Sequence, residues 1–124
     1  MSNLGLSKTY NAEGAIPPFT IVKPGANDFG VLQAAAATDK LIGVTTELSA
    51  NANEPVDVIH EGVANIKAGG NVTRGDLVTS DANGNAVTAA PAAGTNNRII
   101  GIARMSGVAG DVIEVLISPG SFQG

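Results

Sequence analysis

The sequence predicts a mainly β domain, a compact barrel or sandwich built from two pseudo-repeats, with an extended N-terminal arm and little helix. Three observations carry this. Short β-branched and aliphatic runs recur at close spacing with Gly, Pro, Asn and Asp clusters between them, which is the pattern of an all-β fold. No long stretch has the spacing of an amphipathic helix. One stretch is also written twice: residues 41–62, LIGVTTELSANANEPVDVIHEG, return as residues 99–118, IIGIARMSGVAGDVIEVLIS.

Each copy opens with two aliphatics, a Gly and a β-branched residue, Leu41-Ile42-Gly43-Val44 and Ile99-Ile100-Gly101-Ile102. Each then reaches a run with one acid in it, Val56-Asp57-Val58-Ile59 and Ile113-Glu114-Val115-Leu116. The match extends upstream through Phe19-Thr20-Ile21-Val22 and Asp76-Leu77-Val78-Thr79, so the pseudo-repeats cover about residues 19–62 and 75–118. A period of roughly 57 residues is longer than an ordinary solenoid repeat. The two units are therefore expected to share one core within a single domain over residues 16–118.

Residues 1–15 have no sustained period and read as an arm. Two readings of it stand side by side: a frayed terminus, or a segment whose apolar residues Leu4, Leu6 and Tyr10 are held by a partner. Ile16-Pro17-Pro18 fixes an extended entry. Residues 19–22 form a first strand, ended by the Lys23-Pro24-Gly25 turn, and residues 29–32 pair back on it. The Ala run at 34–37 is too short for more than one turn of helix. Residues 41–47 form the next strand, and the Gly matched in both copies marks a bulge or a place where the halves cross.

Beyond a polar turn, residues 56–60 form a buried strand with Val56, Val58 and His60 on one face. Residues 62–66 form another, and Arg74-Gly75-Asp76 turns into residues 77–80. Asp81-Ala82-Asn83-Gly84-Asn85 holds an Asn-Gly pair between β runs, a strong hairpin signal. Residues 86–88, 99–104 and 112–117 supply the last strands, and residues 119–124 are a tail.

Composition narrows the function. At 124 residues the chain can bury about two thirds of its unfolded surface, enough for a core without staples. Zero Cys excludes disulfides and Cys-based metal sites, and a net charge of −4 argues against nucleic acid as a partner. No apolar run approaches the roughly 18 residues of a membrane span, and no signal-peptide pattern opens the chain, so the expectation is no membrane partner. Three Phe, one Tyr and no Trp leave few aromatic walls for a small-molecule or sugar site.

The chemical motifs dissolve on inspection. Arg74-Gly75-Asp76 is better read as a turn than as a recognition tripeptide. The Asp81 loop has Ala86 where a calcium loop needs Gly and Ala92 where it needs Glu. His60 is the single His, which restricts metal and triad chemistry from the start. Asp57 and Glu114 hold matching places and could approach as a carboxylate pair, though solvent-facing strand positions account for both. No catalytic residue, metal ligand or cofactor is expected.

The Gly-containing runs at 41–44 and 99–102, then Glu61-Gly62-Val63-Ala64, then Gly75-Asp76-Leu77-Val78 with its Asp-x-Asn-Gly turn, together resemble the small decoration proteins of tailed-bacteriophage heads, also called capsid cement proteins. The resemblance covers roughly residues 15–118. It implies a β-rich protein that binds the major capsid protein on the outside of an assembled capsid, commonly as a homotrimer, and reinforces the shell against internal DNA pressure without catalysis. It further implies synthesis in the host bacterial cytoplasm and a final place on the virion surface.

An unpaired strand edge or an extended arm can add to a neighbouring sheet. Leu4, Leu6, Tyr10, Ile16 and Phe19 are accordingly expected to face a partner. Two rivals remain: an accessory β domain of an enzyme or carrier, with a cleft near His60, and a virion adhesin base that binds host glycans.

Overall fold

The computed structural model describes residues 6–124. Among them every regular element is a strand: β1 (Ser7–Ala12), β2 (Ile21–Pro24), β3 (Gly30–Gln33), β4 (Gly43–Thr45), β5 (Pro55–Ile59), β6 (Gly62–Lys67), β7 (Leu77–Ser80), β8 (Ala86–Thr88), β9 (Asn96–Ala103) and β10 (Val112–Gln123). The fold is mainly β, and the Ala run at 34–37 forms no helix. β1 to β5 close into a barrel, and β6 to β10 form a five-stranded sheet.

The doubling in the sequence is a doubling in space. The barrel runs β1-β3-β2-β4-β5 and closes through the antiparallel β1–β5 pair, while the second sheet runs β6-β10-β9-β7-β8. Substituting β6 for β1, and each later strand for its counterpart, gives the same neighbours in both, except that β6 and β8 do not pair as β1 and β3 do. The irregular details repeat too. Ile16 and Ala50 exchange two backbone hydrogen bonds, as do Val72 and Gly107. The Asn51 amide donates to the Glu54 carboxylate at 2.8 Å, and the Val108 amide to the Asp111 carboxylate at 3.0 Å.

Each unit therefore begins earlier than its sequence match, at β1 and β6. Ser7–Ala12 was expected in the arm, but its backbone pairs antiparallel with β5 and parallel with β3. The sequence hides this because Ser7, Lys8, Thr9 and Asn11 are exposed and Ala12 alone is fully buried. The corresponding β6 buries Ala64 and Ile66 and so shows its alternation openly.

One difference separates the copies. In the barrel the Asn11 amide donates to the Phe29 carbonyl at 2.8 Å. The equivalent groups, Lys67 N–H and Gly84 C=O, do not meet. Lys67 donates instead to Phe19 O at 3.0 Å, and Gly84 O accepts from the Ile21 amide at 2.8 Å. Residues 19–21 of the first half thus wedge into the seam of the second, and the parallel Ala68–Ala86 bridge is what remains of its closure.

Two clusters fill the interior. Ala12, Ile16, Val22, Val31, Ala50, Val56 and Val58 pack inside the barrel. The larger cluster mixes the halves: Ile21, Ala34, Leu41, Val44 and Ile59 from the first meet Ile66, Val78, Ile100, Ile113, Val115 and others from the second. The repeated Gly is not where the halves cross. A Cβ at Gly43 would strike Val58 and Ile59 of its own barrel, and one at Gly101 would strike Leu116 of its own sheet. Each is a close approach between neighbouring strands.

Candidate interaction surface

Strand register builds the first feature. Leu116 pairs with Val63 on β6 and with Ile102 on β9, and Ile102 pairs with Leu77 on β7. Directly paired residues project to the same face. Four aliphatic side chains therefore lie in one row across the second sheet, the inner two 40% and 37% exposed and the outer two half-buried. The next row is polar: the Arg104 Nε lies 3.7 Å from a Glu114 carboxylate oxygen, with both side chains about half exposed.

The second feature sits where β1 meets the β2–β3 turn. Phe29 is 64% exposed, yet its φ is +62°, in the left-handed region that a bulky residue enters at a cost. The Lys8 ammonium lies 4.6 Å from the Phe29 ring centroid and 5.8 Å from that of Tyr10. The turn itself is held from below by Glu13, whose two carboxylate oxygens accept from the Ala26 amide at 2.8 Å and the Asn27 amide at 3.0 Å. Those bonds, Asn27's first, hold the Glu13 carboxyl below the usual carboxylate range. In the second half the matching turn is held by Asp81, which accepts from Asn83 and Asn85.

The third feature is a cleft of about 190 Å³ between the barrel and β6, lined by Phe19, Thr45, Thr46, Glu47, Ile59 and Asn65. Its apolar parts are Phe19 and Ile59, and its one charged lining group is the exposed Glu47.

The residues expected to face a partner scatter. Leu4 lies outside the described residues. Leu6 is exposed, and its amide donates to Glu61 O. Tyr10 is half-buried against the barrel interior beneath Lys8. Ile16 is a correction: it is 1% exposed, because its paired bonds to Ala50 turn the side chain into the barrel core. Phe19 is half-buried in the cleft. Asp57 and Glu114 do not pair with each other. Asp57 accepts from the Thr9 hydroxyl at 2.7 Å, and Glu114 faces Arg104.

Sequence reasoning missed Phe29 and the aliphatic row. A signal for Phe29 was present, since the position that is Gly84 in one copy is Phe29 in the other, and their φ angles are +73° and +62°.

A family model described as phage cement protein matches residues 3–119. Among solved structures, the N base of head fibre gp8.5 from bacteriophage phi29 is similar, with a TM-score of 0.69 and 19% identity over 91% of this chain and 93% of that one. At that identity the likeness is one of fold. No curated protein sequence matches the chain.

Proposed function

The chain belongs to the phage cement protein family and is a structural protein of a bacteriophage virion, and from that premise we propose that it binds the outside of the assembled head and reinforces the shell against internal DNA pressure. Its partners in this reading are the major capsid protein and sister copies, arranged as a homotrimer. The reading assigns it no reaction.

The observation that supports it best is the aliphatic row of Val63, Leu116, Ile102 and Leu77. An exposed β face carrying a continuous apolar stripe beside a charged row has the make-up of a protein contact, an apolar centre with a polar rim. Interfaces of this kind bury roughly 1,200–2,000 Å² in total. A shell offers many identical seams, so moderate affinity per contact is multiplied when linked copies engage together. Leu4 and Leu6 belong to the same proposal as residues that face the shell.

The test is occupancy on heads that lack the protein. Purified wild-type chain is expected to decorate them and to raise their resistance to heat, while Leu116→Asp binds at least about tenfold more weakly with its melting temperature near wild type. Undecorated heads, or decorated heads no more resistant than bare ones, would sink the proposal. A second reading, a virion base that presents a host-binding element, draws on the fold shared with the head fibre base. It requires heads bearing the protein to adsorb to host cells better than heads without it.

A further inference from the structure

Phe29 and Gly84 occupy the same place in the two halves and share one backbone conformation. At Gly84 that conformation suits its residue, because glycine enters positive φ freely. At Phe29 it is strained, and while the backbone carbonyl is held by the Asn11 amide, the side chain gains from its own chain a surface cation–π contact with Lys8. The ring stays 64% exposed and so packs little of its area on its own chain. A bulky side chain kept at positive φ, where its counterpart is glycine, with most of its ring in solvent points to use outside the monomer.

The shape and charge of the tip indicate where it goes. Phe29 is a single aromatic knob on a turn fixed by Glu13, with one cation, Lys8, against its ring. The cleft has the opposite character, an apolar lining from Phe19 and Ile59 and a carboxylate at Glu47. Of the other surface hollows, those lined by Arg98, by Lys67, and by Lys23 and Lys40 with Asp39 carry cations, and the one beside Asp57 holds a carboxylate already engaged by the Thr9 hydroxyl.

We propose that the Phe29 ring of one copy seats in the cleft of a second copy, with Lys8 of the first paired to Glu47 of the second. The contact is heterologous, so repetition closes a ring or continues as a chain of subunits. It also returns Tyr10 and Phe19 to partner-facing roles, one beside the knob and one within the cleft. The inference rests on the self-association included in the reading above and names the residues that would produce it.

The experiment is sedimentation of the whole protein, with head occupancy measured separately. Wild type is expected to associate. Phe29→Gly, which keeps the backbone and relieves its strain, is expected to weaken association about thirtyfold or more, as for a central anchor, without lowering the melting temperature. Lys8→Glu and Glu47→Lys should each weaken association about tenfold, and the double variant should restore it, because each contact again joins opposite charges. A monomeric wild type would overturn the proposal, as would a Phe29→Gly variant that associates normally or a double variant no better than the singles. If Phe29→Gly loses head occupancy while its association is intact, the knob meets the shell and the copy-to-copy contact is wrong. Intact association without head binding would instead count against the cementing role alone.

Discussion

The Asn11 amide bonds the Phe29 carbonyl and closes the barrel, whereas Lys67 and Gly84 at the same two places are held apart by residues 19–21. A three-residue wedge is thus what distinguishes a closed copy from an opened one. The wedge also makes the glycines of the second half unequal, since Gly84 is pressed against the wedge and Gly75 is not.

A Cβ at Gly84 would lie 2.6 Å from Thr20 Cγ2 and 3.0 Å from Ile21 O, while one at Gly75 meets nothing within 4 Å. Both have positive φ. Gly75→Ala should therefore cost only the backbone term, about 1–2 kcal/mol, and Gly84→Ala distinctly more. Urea denaturation of the two variants measures the gap, and equal losses would mean that the wedge is not tightly seated.

The Glu13 carboxyl, held low by the Asn27 and Ala26 amides, ties stability to pH. A depressed folded value means a contribution complete above the unfolded glutamate pKa of about 4.3 and lost as the pH falls below it, through the folded value. Glu13→Gln should melt below wild type at neutral pH, and the two curves should converge in acid. A gap that persists unchanged to pH 2 would contradict the assignment.

Ile16→Ala and Leu6→Ala should part company. Ile16 sits in the barrel core, and its truncation should cost about 2–5 kcal/mol. Leu6 is 59% exposed, so its truncation should change stability by less than about 0.5 kcal/mol. Thermal unfolding of both variants checks this.

Thr79 Oγ1 is buried without a hydrogen-bond partner among the described residues. An unsatisfied buried hydroxyl costs stability that an isosteric methyl does not. Thr79→Val should be neutral or stabilising by about 1 kcal/mol, and a clear loss would show that the hydroxyl is satisfied in solution.

The repeated aliphatic-Gly runs made the duplication legible, because Gly43 and Gly101 are demanded by the same close strand approach in each copy. The Asn83-Gly84 pair likewise located the β7–β8 hairpin. β1 was illegible because backbone pairing, not apolar side chains, holds it in the barrel. Ile16 was grouped with the arm as partner-facing because it adjoins it in the sequence, whereas the bridge to Ala50 turns the residue inward. The aliphatic row could not be seen in one dimension. Val63, Leu77, Ile102 and Leu116 become neighbours only once register aligns four strands.

At the backbone seam, dependence between the two copies runs in one direction, although they share the larger core. The first lends residues 19–21 to complete the second, and its own seam is already shut by Asn11 and Phe29. A chain severed between residues 61 and 62 should behave as a complementation pair, in which the C-terminal fragment acquires its sheet only when the N-terminal one is added. At that seam one half serves as template and the other as its dependant, so loss of the first half and loss of the second would not be symmetrical.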